Sequence, residues 1–301
     1  MISDLVSTYL SSISGARSPK TVDTYSLGLR AFVRVVGDEA PINVDTYIRF
    51  LQGSKEMTSP TQATYRAAIN GFYLFCAERG VAVNLAAMKS ATQRYGKRQG
   101  PRLLNFNRRA IEQVLSYAET LTGELQDLRD RAFVLTLADT GLRISEACAL
   151  KRGDIDWEDG RSLVIGKGDK QAVVRYSQRS LGAIRLYLQA RAELDGGSGK
   201  PLVSLPVFAR HDKGAGHKVK SVASGGMWFA MKALILAAGV DPNEIRVHDF
   251  RHYFVTTIYL ATNDLKTAQE MARHSSITTT NRYAHLGGKT DQIYNNIFNK
   301  S

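Results

Sequence analysis

Cysteine is almost missing. Two in 301 residues, Cys76 and Cys148, cannot make a disulfide scaffold, and they stand too far apart for a zinc-binding pattern. Long apolar runs are missing too: no stretch reaches the roughly 18 residues that a membrane span needs. Lys232 interrupts the most apolar segment, MWFAMKALILAAGV, so no membrane partner is expected. The opening MISDLVSTYLSS lacks the basic region of a signal peptide, and a reduced cytoplasmic setting is the expectation. The lone GKG at 166–168 lacks the GxxxxGK[ST] spacing of a phosphate-binding loop, which excludes an ATPase of that type. Acid is scarce as well. Against 40 Lys and Arg stand only 28 Asp and Glu, a net charge of +12. That balance suits a protein that meets a polyanion.

What is present is mostly helical pattern. Ser18-Pro19 and Ser59-Pro60 each read as an N-cap with proline in the first turn. After the first, Val22, Tyr25, Leu29, Phe32, Val33 and Val36 recur with helical period; after the second, Tyr65, Ile69, Phe72, Tyr73 and Cys76 do the same. With amphipathic stretches near 2–13 and 43–52, residues 1–88 predict a small four-helix domain. KSATQRYGKRQGPRLL, residues 89–104, then carries Lys89, Arg94, Lys97, Arg98 and Arg102 and no acid. With two glycines, a proline and little periodicity it reads as an interdomain linker, either a solvated connector or a basic strap along phosphates. Residues 105–301 are mainly helical with one β signal. In SLVIGKGDKQAVVRY, Leu163, Val164 and Ile165 face Ala172, Val173 and Val174 across a turn containing Lys167. The expected fold class is mainly α with a small β-sheet, in two domains.

Four short segments of the second half carry chemistry. TGLRISEACAL places Arg143 just after a helix ends at Gly141. VHDFRH sets His248 and His252 four residues apart with Arg251 beside them. The hairpin turn offers Lys167, and ARHSSITTTNRYAHL brings His274 and Tyr283. Singly, each has a bland account: a salt-bridge arginine, a solvated lysine, a packing tyrosine. Zinc at His248 and His252 needs a third ligand. For hydrolysis it also needs a base such as the glutamate of HExxH, but Asp249 stands after His248, and Arg251 would repel the cation.

Together, Arg143, Lys167, His248, Arg251, His274 and Tyr283, in GLRISE, GKGDK, HDFRH and HSSITTTNRY, resemble the signature of the tyrosine recombinase family, of the phage-integrase and Xer type. The resemblance runs from about residue 105 to 290. The helical front domain resembles the family's core-binding, DNA-binding domain, and 105–301 an α+β catalytic domain with a C-terminal tail helix. One departure is Ala272-Arg273 before His274, where many relatives have Leu-Gly. A further arm-binding domain, found in some integrases, finds no room, so a simple two-domain recombinase is expected.

The resemblance implies a site-specific recombinase that cuts and rejoins DNA through a 3′-phosphotyrosine, without ATP, metal or other cofactor. The alternatives are strand relaxation of the type IB topoisomerase kind, or a catalytically silent DNA-binding relative. It implies that Arg143 and Arg251 clamp the nonbridging phosphate oxygens. Tyr283 is then the nucleophile, His248 the base or its equivalent, His274 a donor to a nonbridging oxygen, and Lys167 the general acid. His252 either supports these groups or packs in the core. Glu146 either orients Arg143 or is an ordinary helix-surface acid. The implied partner is double-stranded DNA, with a monomer or weak oligomer free in solution and a homotetramer on paired sites. Beyond Gly287-Gly288, Ile293, Tyr294, Ile297 and Phe298 would give a tail helix one apolar face, buried either on its own domain or on a neighbouring protomer.

Overall fold

The computed structural model describes residues 1–97, 106–165, 171–212, 214, 216 and 218–273. The chain divides into two compact units, Met1–Arg102 and Leu103–Ser301.

The first unit holds five helices: α1 (Ile2–Ile13), α2 (Pro19–Val36), α3 (Val44–Gly53), α4 (Ser59–Ala77) and α5 (Leu85–Tyr95). Ser18 caps α2 through its side chain, with Pro19 opening the helix where its missing N–H costs nothing. At α4 the cap is Thr58 rather than Ser59, one residue earlier than the sequence suggests; Thr58 Oγ1 accepts the N–H of Thr61. The core is aromatic. Phe32, Tyr47, Phe50, Phe72 and Tyr73 are fully buried, and Phe32 meets Phe50 and Tyr73 edge-on at 5.7 and 5.9 Å between ring centres.

Helix α5 corrects the expected boundaries of the linker. Residues 89–95 are helical, Asn84 caps the helix, and Met88 and Ala91 are buried in the first core. Tyr47 of α3 ties to it, its hydroxyl 2.7 Å from Thr92 Oγ1. Apolar residues at 88, 91 and 95 amount to barely two turns, too short a periodicity to stand out in a basic stretch.

The second unit begins with α6 (Arg108–Thr120), α7 (Leu125–Thr140) and α8 (Ile144–Ala149). A three-stranded antiparallel sheet follows: β1 (Ile155–Asp156), β2 (Arg161–Ile165) and β3 (Gln171–Arg175), in that spatial order. Leu163 pairs with Val173 and Val164 with Ala172, the expected hairpin. Its turn, with Lys167, lies outside the described residues. Helices α9 (Gln178–Ala190), α10 (Ala192–Gly196), α11 (Ser224–Ala237), α12 (Asp249–Thr262) and α13 (Leu265–Ala272) complete the unit. The fold class is as expected: mainly helical, with one small sheet.

Helix α7 is the pillar of this unit. It is buried on nearly every side, including Phe133, Val134, Leu135 and Leu137, and it packs against both α9 and α12. Its two buried hydroxyls, Thr136 and Thr140, donate to carbonyls one turn back, at Ala132 and Thr136. At the far end of α9 a fully buried Arg191 is paired with Asp195 at 2.8 Å and donates to the carbonyls of Pro206 and Val207. Cys76 and Cys148 are buried free thiols, each pushed up to about 11 by burial. No helix among the described residues is long and apolar enough to cross a membrane.

Candidate active site

The site is built around one carbonyl. Helix α7 stops at Gly141, which takes a left-handed conformation at φ 61°. A Cβ there would lie 2.5 Å from the Phe254 ring of α12, so both backbone angle and close approach demand glycine. The turn leaves the Gly141 carbonyl without a helical partner and aims it at α12. Arg251, 2% exposed, donates Nη1 to it at 2.5 Å and Nη2 to the Ala272 carbonyl at the end of α13. Arg273 Nη2 reaches the same Gly141 oxygen at 3.2 Å. One arginine thus ties together α7, α12 and α13, drawing in segments that are 110 residues apart in the chain.

Two residues past Gly141, Arg143 caps α8. Its side chain is 43% exposed, the most open of the three arginines. Glu146 holds it twice, accepting the Arg143 backbone N–H at 2.9 Å and Nη1 at 2.6 Å. Burial pushes Glu146 upward, but the bonds from Arg143 and the charge of Arg273 outweigh it and hold the carboxylate below its ordinary value. Glu146 is thus largely buried and bonded to Arg143 at both backbone and side chain.

His248 sits at the N-terminus of α12 and His252 one turn on, their rings edge-on with centres 4.7 Å apart. His252 also lies 6.3 Å from the Phe106 ring. Burial, then the charges of Arg251 and Arg143, hold His248 below its usual value. Among the described residues no three His, Cys, Asp or Glu side chains gather where they could hold a metal ion.

Of the six residues expected to act together, the structure brings together Arg143, His248 and Arg251. Lys167, His274 and Tyr283 lie outside the described residues, as does the tail helix. Of the five linker cations, Lys89 and Arg94 are exposed on α5. Lys97 is committed to its own unit: its backbone N–H bonds Gln62 Oε1 at 2.8 Å and Nζ bonds the Met57 carbonyl at 2.6 Å. Arg98 and Arg102 lie outside the described residues. Two features escaped the sequence reading, the Gly141 carbonyl as a hub and the burial of Arg273. The one trace of the latter is the Ala-Arg that replaces Leu-Gly.

The family model described as "Phage integrase family" matches residues 104–289. The chain belongs to this family of tyrosine recombinases. Among similar proteins, the tyrosine recombinase XerC of Pelobacter propionicus is 31% identical, the match covering 89% of this chain and 85% of XerC. XerD of Listeria innocua is 26% identical over 89% of each. Among solved structures, XerH bound to a palindromic difH substrate, a post-cleavage complex, superposes with a TM-score of 0.71 at 22% identity, covering 93% of this chain and 80% of XerH. A lambda integrase (75–356) dimer bound to a COC′ core site gives 0.62 at 16% identity, covering 93% of this chain and 94% of the integrase. Helix α12 and Arg251 lie within the residues that the family model matches.

Proposed function

We propose that this recombinase breaks and rejoins DNA at specific sites through a covalent 3′-phosphotyrosine, using its own side chains alone. The observation that carries the reading is the convergence of Arg143, Arg251 and His248 around one turn, in a chain of the integrase family. A phosphodiester under attack gathers negative charge on its nonbridging oxygens. Guanidinium groups stay protonated at any working pH and can meet that charge with paired donors. Exposed Arg143 and buried Arg251, the latter held by the Gly141 and Ala272 carbonyls, are the two arginines that clamp those oxygens.

Tyr283 attacks phosphorus. The bond from its phenolic oxygen to phosphorus forms, the bond to the 5′ oxygen breaks, and the 3′ phosphate remains on the enzyme. The phenol has an ordinary pKa of about 10, so the arginines' field and His248 as proton acceptor ease its ionisation. Lys167 gives the departing 5′ oxygen its proton, and His274 donates to a nonbridging oxygen. A new 5′ hydroxyl then reverses the steps, with the bond energy kept in the phosphotyrosine. The helical front unit, with Lys89 and Arg94 of α5 exposed, takes part in gripping the duplex. Four copies on two paired sites supply the four active sites that exchange of two strands requires.

Trapping the covalent complex on nicked genomic DNA and sequencing the attached strand tests the reading. Tyr283→Phe should still bind DNA but form no adduct; adduct from that variant would move the nucleophile elsewhere. Rejoining of only the original strands would identify a relaxing enzyme, and absence of adduct from the unsubstituted chain a silent DNA-binding relative.

A further inference from the structure

Arg273 stands where the backbone favours another residue. It is left-handed, at φ 57°, a conformation that suits glycine; among the described non-glycine residues only Asn263 shares it, and asparagine tolerates it. Its side chain is nonetheless drawn in, 12% exposed, with Nη2 turned to two oxygens: the Gly141 carbonyl at 3.2 Å and Glu146 Oε2 at 3.5 Å. Nε and Nη1 are buried with no hydrogen-bond partner among the described residues, so the arginine's own bonding does not explain its burial. Burial holds its guanidinium below the usual value, Glu146 acts the other way, and Arg143 adds to the burial effect. An arginine kept in spite of its backbone and its idle N–H groups points to what its charge does for a neighbour.

That neighbour is Glu146. Its side chain is only 11% exposed, so it needs cations close by to stay ionised. Both its oxygens hold Arg143, Oε2 accepting the backbone N–H and Oε1 accepting Nη1. Arg143 is 43% exposed, which leaves the rest of its guanidinium free to face a phosphate. An arriving phosphate brings negative charge toward a buried carboxylate and so favours its protonated form. Once protonated, one of the two oxygens becomes a donor and the double hold on Arg143 is lost. Arg273 is the second cation beside Glu146, on its enclosed side. We propose that Arg273 is a positioning residue that keeps the Glu146 carboxylate ionised and in place, so that Glu146 holds Arg143 in one orientation while Arg143 meets the scissile phosphate. The other groups nearby do not supply that charge. Asp154, at the end of the turn Arg152–Asp154, lines the same groove as Glu146 and is itself an acid. Tyr176, which feels the charges of Arg273 and Asp154, is pushed up to about 12 by burial. Arg129 of α7 and Ser224 of α11 act on Cys148, two residues further along α8. The role rests on the phosphoryl-transfer reading above, because it concerns Arg143 at that phosphate.

The test compares Arg273→Met, Arg273→Gly and Arg273→Lys, each alone and with Glu146→Gln. Single-turnover cleavage of a nicked duplex bearing the strand recovered from the trapped adduct is followed from about pH 5.5 to about pH 8.5, alongside DNA affinity and the denaturation midpoint. Without Arg273, Glu146 takes up a proton more readily, so the acid limb of the rate should move to higher pH. The Met and Gly variants should cleave roughly tenfold more slowly at about pH 6, with a smaller loss at about pH 8 and nearly unchanged affinity. Arg273→Lys keeps the charge and should move the limb part of the way back. Glu146→Gln cannot titrate: it should be slow by itself, and removing Arg273 in that background should neither slow cleavage further nor move the limb. An equal further loss there would show Arg273 acting on DNA directly, and would overturn the positioning role. So would an unmoved limb in the single variants, full-rate cleavage by Glu146→Gln, or a loss that tracks lowered midpoints at every pH in both the Met and Gly variants. These failures are read against an unsubstituted chain that does cut. If that chain makes no adduct, the recombinase reading falls and the positioning role with it.

Discussion

At the scale of single residues, the site is held by positions whose substitution is structural before it is chemical. Gly141→Ala would force a Cβ into a left-handed backbone, costing about 1–2 kcal/mol, and against the Phe254 ring at 2.5 Å. The denaturation midpoint should fall, and adding Phe254→Leu should restore the part due to the clash but not the part due to φ. His211 sets a pH dependence. Its Nε2 lies 2.7 Å from the Tyr187 hydroxyl, and burial, then the charges of Arg129 and Arg191, lower it from 6.5 to about 4. Below pH 6.5 the unfolded chain binds a proton that the folded chain refuses until about pH 4, so stability falls as pH drops through that window and is flat above it. His248, also lowered, acts in the same direction, whereas Asp130 and Asp249, raised by burial, oppose it on the acid side. Urea midpoints measured at about pH 7, 6 and 5 should decline, and His211→Gln should flatten that decline. An unaltered slope would mean that His211 is protonated in the fold.

At the scale of elements, α5 separates two kinds of basic residue that look alike in sequence. Lys89 and Arg94 point to solvent, while Lys97 bonds the Met57 carbonyl. Replacing Lys89 and Arg94 by Gln should make the dependence of log affinity on log salt shallower, by roughly 0.9 for each phosphate no longer neutralised. Lys97→Ala should leave that slope alone and lower the stability of the first unit. The opposite pattern would show that the exposed side of α5 does not meet phosphates. Helix α12 is the corresponding element of the second unit. From its N-cap onward it carries His248, Arg251 and His252, and its place against Gly141 and Ala272 is what turns three spaced residues into a site.

At the scale of the whole molecule, the expectation is a monomer or weak oligomer in solution and a tetramer on two paired DNA sites. Sedimentation velocity with and without duplex bearing the recovered site measures this. Deleting residues 289–301 removes the stretch in which Ile293, Tyr294, Ile297 and Phe298 repeat with helical spacing. If that apolar face joins neighbouring copies, the truncated chain should keep its circular dichroism and single-site affinity but lose the tetramer. A truncated chain that still assembles on DNA would place the interface elsewhere, and one that unfolds would make the tail part of its own core.

By itself the sequence determined the helical texture of both halves, the hairpin and the family. These rest on local periodicity, on turn residues and on motifs whose members are identifiable singly. It also showed Arg143, His248 and Arg251 as candidates, because arginine and histidine near glycine and helix starts are visible in one dimension. Tertiary structure decided the rest. That Lys97 serves its own unit, that α5 is a helix, and that the Gly141 carbonyl gathers Arg251 and Arg273 all depend on what lies opposite in space. Burial decided most at Arg273. In sequence it is one of 40 basic residues; enclosed by the fold beside Glu146 it is a charge with N–H groups to spare, because only a packed interior removes the water that would otherwise have satisfied them.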